Sequence, residues 1–200
     1  MKTVFYDIDS QFDFLYPAGA LYVPGAERIV PAIARLNRYA AAQGIPVVST
    51  TDAHAERDPE FRVWPHHCVA GTLGQRKPEA TLLPHRVTIP NRECGLEIDG
   101  AQQIVIEKQT VDVFAARNLS RVIERLGAER HVVYGVVTEI CVWHAARGLL
   151  KTGRPVWVAT DAIQGLNADD SRRALAEIQA AGGHLATSQE IASDPFFRRA

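Results

Sequence analysis

Residues 131–143 read HVVYGVVTEICVW, an apolar run from His131 to Val136 that gives way to helical spacing from Glu139 to Leu150. A short, continuously apolar strand followed at once by an amphipathic helix is the unit of a parallel sheet covered on both faces. The same alternation recurs on either side. Lys2 to Tyr6 is a first strand, and Ala26 to Ala42 places Ile29, Val30, Ile33 and Leu36 on one helical face before Gly44 and Pro46 stop it. Val47 to Thr51 makes a second strand and Ile104 to Ile106 a third, followed by a helix from Ala115 to Leu126. Beyond the quoted stretch come a fifth strand at Pro155 to Ala159, a helix from Asp169 to Ala181, and a short sixth strand at His184 to Ala186. The expected fold is α/β: one domain over residues 1–200, a three-layer α/β/α sandwich on a mostly parallel sheet of about six strands. Residues 52–100 are rich in proline and histidine and carry no periodicity, which predicts a long functional loop.

Composition narrows the function classes. Of the 200 residues, 46% are hydrophobic and 22% charged, enough for a sizeable core. A formal charge of −1 removes any global electrostatic argument for nucleic acid or a membrane surface. The N-terminus, MKTVFYDIDSQFDF, has acids where a signal peptide has an apolar core, and no stretch approaches the ~20 apolar residues of a membrane span. Three widely spaced cysteines, Cys68, Cys94 and Cys141, do not form a disulfide framework. Reduced thiols and a cytoplasmic location are expected.

Ligand sites in open sheets of this kind form beyond the carboxyl ends of strands. Asp9, Asp52, Lys108 and the stretch Thr138 to Cys141 all fall there, so one edge of the sheet gathers the polar candidates. Cys141 lies where a strand turns into a helix, and the positive end of the helix dipole predicts a lowered thiol pKa. A cysteine beside apolar residues is by itself packing material more often than a nucleophile. Lys108, if it faces the same pocket, would lower the thiol pKa further; read alone, it is a solvated strand end. Asp9 could take the thiol proton and return it to a leaving amine, or merely cap a turn.

The segment TDAHAERDPEFRVWPHHCVAGT, residues 51–72, adds Asp52 and His54 two positions apart and a histidine pair at His66 and His67. In extended chain a two-residue gap points both side chains to one side. One carboxylate with two imidazoles suits a divalent first-row ion such as zinc, manganese or iron. The plainer reading is a polar loop with incidental histidines.

Four stretches together resemble the nicotinamidases of the isochorismatase-like superfamily. Asp9-Ser10-Gln11-Phe12-Asp13-Phe14 is similar to the family's D-x-Q-x-D-F, and Asp52-Ala53-His54 to its D-x-H metal motif. Residues 64–72, WPHHCVAGT, resemble W-P-x-H-C-V-x-G-T, and residues 135–142 resemble the nucleophile turn. The resemblance implies Cys141 as nucleophile, Asp9 as general base and acid, and Lys108 as electrostatic activator. It implies an oxyanion hole from the Val137 and Cys141 N–H groups beside a cis Val136–Val137 peptide. Asp52, His54 and His67 would hold a divalent metal, zinc first among the candidates, and Phe14 and Trp64 would pack on the substrate ring. The implied reaction converts nicotinamide to nicotinate and ammonia through a Cys141 thioester, in a protein expected to form a homo-oligomer. A related hydrolase acting on another small amide, carbamoyl or vinyl-ether substrate is the alternative.

The sequence departs from the family pattern in places. Only Glu56, Asp58 and Glu60 follow the D-x-H motif where another histidine is common, and Glu139 stands where aspartate is usual. Residues 72–91 match nothing assignable. Cys68 and Asp161 read as structural, Cys94 as unassigned, and His66 as a loop residue. His85, His131, His144 and His184 read as surface groups, and Trp143 and Trp157 as core or subunit contacts. No G-x-G-x-x-G follows the first strand, which argues against a dinucleotide-binding domain. A non-catalytic scaffold would have little use for Asp9, Lys108 and Cys141 together.

Overall fold

In the computed structural model, which describes residues 2–197, seven parallel strands form one sheet in the order β3-β4-β2-β1-β5-β6-β7. They are β1 (Thr3–Ile8), β2 (Val47–Asp52), β3 (Arg86–Ile89), β4 (Gln103–Lys108), β5 (Arg130–Val136), β6 (Val156–Gln164) and β7 (His184–Ala186). Every residue of β1, β2 and β5 is buried, so helices cover both faces, as a near-continuous apolar strand requires. The expected α/β sandwich is the fold observed.

The helices are α1 (Phe12–Leu15), α2 (Val30–Ala42), α3 (Leu119–Leu126), α4 (Trp143–Leu150), α5 (Ala168–Ala180) and α6 (Ser188–Ser193). Pro31 sits in the first turn of α2, and Gly127 ends α3 in the left-handed region with φ 61°. Asn167 caps α5 by accepting from the N–H groups of Asp169 and Asp170, at 2.9 and 3.1 Å. Helix α2 packs on α6, and α4 on α5. Among the described residues no helix is long and apolar enough to cross a membrane.

Three sequence expectations change. The segment 52–100 is not all loop, because β3 adds a seventh strand at the sheet edge, pairing with β4 from Arg86 to Ile89. The helices expected from Ala26 and Ala115 begin later, after single 3-10 turns at Ala26–Ile29 and Val113–Ala115. The helix expected from Glu139 is a π-turn at Thr138–Val142 that passes into α4.

Candidate active site

Strands β4, β2, β1 and β5 are consecutive in the sheet, and their carboxyl ends bring together the residues singled out in the sequence. Asp9 follows β1, Asp52 ends β2, Lys108 ends β4, and Cys141 lies in the turn after β5. Strand register sets Asp52 directly beside Lys108. Near its carboxyl end β5 needs Gly135, whose φ is 119° and where a Cβ would collide with the Ile8 carbonyl of β1. The next peptide, Val136–Val137, is cis.

Lys108 is the hub of this edge. Its side chain is fully buried, and Nζ lies 2.5 Å from Asp52 Oδ1, 2.9 Å from Asp9 Oδ2 and 3.9 Å from Cys141 Sγ. It also donates to the Thr110 carbonyl oxygen at 3.0 Å. Burial opposes the charged ammonium, but Asp52 and Asp9 outweigh it and raise the lysine pKa well above its ordinary value. This lysine is no solvated strand end.

Asp9 is held with φ 47°, its Oδ1 accepting from Thr50 Oγ1 at 2.6 Å. Burial raises its carboxyl pKa; Lys108 pulls against that rise and Asp52 adds to it. Asp52 ends up on the other side: burial would raise it, yet the Lys108 ammonium, with the His54 and His67 rings close by, holds it below the usual carboxylate range. Two neighbouring carboxyls are thus driven apart by their partners. Cys141 corrects an expectation. Burial pushes its thiol well above the ordinary value; Lys108 lowers it, but Asp9 and Asp52 offset that pull. The sequence shows the cation and the turn, whereas the burial and the two opposing carboxylates emerge only in three dimensions.

The proposed metal ligands also converge. Ligand atoms of Asp52, His54 and His67, all buried, lie within 4.8 Å of one another. Asp52 Oδ2 is 3.9 Å from His54 Nε2 and 3.8 Å from His67 Nε2, too long for hydrogen bonds. Bond lengths of about 2.1 Å around one ion place ligand atoms roughly 3–4 Å apart. His67 Nδ1 lies 2.7 Å from the Pro65 carbonyl oxygen, so it carries the proton and leaves Nε2 a lone pair. His54 Nε2 is buried without a hydrogen-bond partner, an orphan that an ion would satisfy. The donor set fits a divalent cation.

This cluster is placed differently from the strand-end groups. Gln11 binds both the N–H and C=O of Asp52, at 2.7 and 2.9 Å, and donates to the Gln75 carbonyl at 2.7 Å. Asp13 Oδ2 accepts from Cys68 N at 2.7 Å and its Oδ1 from Ala20 N at 2.9 Å. Cys68 itself has φ 45°, and its carbonyl accepts from His54 N at 3.1 Å. Asp13 therefore reaches both histidine segments through one residue. Sequence reading found the motif but not this role, since the bond from Asp13 to Cys68 spans 55 positions.

A cleft joins the two groups, reaching Asp9 and Cys141 at one side and Asp52 and His67 at the other. Phe14, Trp64 and Val137 line it, and the Phe14 ring centroid is 5.4 Å from that of His67. Glu60, passed over in the sequence, lines it too; burial and the charge of Asp52 raise its carboxyl pKa. His66 is exposed and stacks on Phe61. Cys68 is buried beside His67, and Asp161 accepts from Ser188 N and Oγ at 2.6 Å each. His131 is a correction. It is fully buried, with Nδ1 3.0 Å from Tyr6 Oη, because β5 lies inside the sheet and not at its edge.

The family model describing the Isochorismatase domain matches residues 4–190. An isochorismatase family protein of Bacillus subtilis, PncA, is 30% identical over 180 residues, covering 88% of this chain and 93% of that protein. A nicotinamidase of Acinetobacter baylyi is 25% identical over 205 residues, covering 92% of each. The structure of a Pyrococcus horikoshii pyrazinamidase in complex with zinc superposes with a TM-score of 0.78 at 28% identity, covering 94% of this chain and 99% of that one.

Proposed function

Since the chain belongs to the isochorismatase family, we propose that it is a metal-dependent cysteine amidohydrolase whose substrate is nicotinamide, released as nicotinate and ammonia. One observation carries this reading: Lys108 touches Asp9, Asp52 and Cys141 together, so a single buried cation joins a nucleophile, a base and a metal ligand. A structural ion pair would not need a thiol in the same contact.

Asp9 takes the Cys141 proton, and the thiolate attacks the carboxamide carbon. Backbone N–H groups of Val137 and Cys141 receive the oxyanion. Protonated Asp9 then donates to the departing ammonia, and water deprotonated by Asp9 cleaves the thioester. The raised pKa values of Asp9 and Cys141 suit this order, because the resting thiol keeps its proton until the base is in place. Asp52, His54 and His67 would hold the divalent ion, zinc first among the candidates, with Glu60 at the same wall. When bound, such an ion supplies a Lewis-acidic anchor for the ring nitrogen. Phe14 and Trp64 flank the ring.

The wall also bears on the alternative. It carries carboxylates, the His67 imidazole, the Cys141 thiol and apolar side chains but, among the described residues, no lysine or arginine to pair with a substrate carboxylate. That favours a neutral aromatic amide over charged carbamoyl or vinyl-ether acids. The test is ammonia release by metal-loaded protein from nicotinamide, beside a panel of small amides and carbamoyl acids. Turnover of nicotinamide with loss in Cys141→Ala is expected; turnover of another amide alone would remove the substrate assignment and leave the mechanism.

A further inference from the structure

One wall of the cleft belongs to a segment that the catalytic roles leave unused. From the last residue of β6 the chain runs Gln164-Gly165-Leu166-Asn167 before α5 begins. Glu139, two residues before Cys141, grips it. Its Oε1 accepts from the N–H groups of Leu166 and Asn167 at 2.8 and 2.9 Å, and its Oε2 from Ser171 Oγ at 2.9 Å. A Cβ at Gly165 would collide with both the Glu139 carboxylate and the Ser171 hydroxyl, so this grip depends on glycine there. From the opposite side Gln164 Nε2 donates to the Pro24 carbonyl at 3.0 Å, tying the segment to the turn after Val23, another wall residue. Asn167 is spent on capping α5.

The segment's backbone and polar side chains are therefore committed, and its one apolar side chain faces the cleft. Leu166 lines it with Ile140, Leu21 and Cys141, while remaining 41% exposed at the mouth. A wall that cannot retreat discriminates by size, since an acyl group that overlaps it must break several hydrogen bonds to enter.

We propose that Leu166 sets the size limit for groups reaching Cys141, and that Glu139 is the positioning residue that fixes Leu166 there. The inference deepens the reading of Cys141 as nucleophile, but its test needs only the thiol.

The experiment alkylates Cys141 in the metal-loaded protein with iodoacetamide and with its bulkier N-benzyl derivative, each forming an S–C bond and releasing iodide. Mass spectrometry of the Cys141 peptide separates it from Cys68 and Cys94. Leu166→Ala should raise the bulky-to-small rate ratio about tenfold, and Leu166→Phe should lower it similarly. Glu139→Ala should shift the ratio in the same direction as Leu166→Ala, while Glu139→Gln, which keeps an acceptor for both N–H groups, should stay near the unsubstituted protein. If Glu139→Ala does not fold, Gly165→Ala, which displaces the carboxylate, decides instead. Equal changes with both reagents in the Leu166 variants overturn the size limit. An unmoved ratio in folded Glu139→Ala or Gly165→Ala overturns the positioning role. Nicotinamide hydrolysis by the unsubstituted protein, measured alongside, judges the proposed function separately.

Discussion

The two halves of the cleft are assembled by different physics. Asp9, Lys108 and Cys141 hang from strands β1, β4 and β5, whose pairing fixes their spacing as part of the core. His54 and His67 ride a segment tied down by side chains, chiefly Gln11 and Asp13, reaching backbone groups far along the chain. The first half cannot shift without disturbing sheet register. The second depends on a few bonds that a point substitution removes. Asp52 belongs to both, ending a strand while facing the histidines, and so should transmit damage between them.

The sharpest separation is Cys141→Ala. Turnover should fall by about 10⁴-fold or more, the scale of losing a nucleophile. Metal content and melting temperature should hardly change, because the thiol anchors neither half. Loss of metal with loss of activity would show that the two halves are not independent as described.

Lys108→Met tests where they join. Removing the ammonium leaves Asp9 and Asp52 buried without their shared cation. Breaking one partner of a buried ion pair costs about 3–5 kcal/mol, so chemical denaturation should show a drop of that order. Activity should vanish, and metal affinity should fall as well, since Asp52 loses its orientation. A variant of unchanged stability would mean that the two carboxylates take up protons in its absence.

Asp13→Ala attacks the loop half alone. Cys68 N and Ala20 N lose their acceptor, and His67 loses the anchor beside it. Outer residues that orient metal ligands typically contribute about 10–100-fold to metal affinity. A fall in that range by titration calorimetry is expected, with the iodoacetamide rate at Cys141 little changed. Unaltered affinity would show that the ion itself organises the loop.

The same contrast explains how much of the molecule was legible in the sequence. The strand-end half could be read because buried strands announce themselves as apolar runs, and the residues just beyond their carboxyl ends share one edge of the sheet. Strand β3 escaped because Arg86-Val87-Thr88-Ile89 is short, lies between Pro84 and Pro90, and buries only Ile89. The proposed metal ligands were visible through their types and spacing, but not their supports, since Gln11 and Asp13 act across more than 40 positions. The thiol pKa was misread for a related reason. Sequence shows that Lys108 exists, not that the thiol is buried and that two carboxylates face the same ammonium.

His131 supplies the smallest effect, and it tests the scaffold at the end away from the cleft. It is the second residue of β5, deep in the sheet beside Tyr6 of β1. Burial, aided by the charge of Arg154, lowers its pKa from an ordinary 6.5 to about 4. The unfolded chain therefore takes up a proton first as the solution is acidified, so this group's stabilising contribution is whole above pH 6.5. It is lost progressively as pH falls from there to about 4. The depression corresponds to about 2 kcal/mol after discounting for relaxation of the site. Unfolding free energies measured across that window should decline by this amount in the native sequence and decline less in His131→Gln, which cannot ionise. Parallel curves for the two proteins would place the acid sensitivity among the carboxylates of the cleft, and with it the weak point of the fold in the very half that strand pairing was expected to protect.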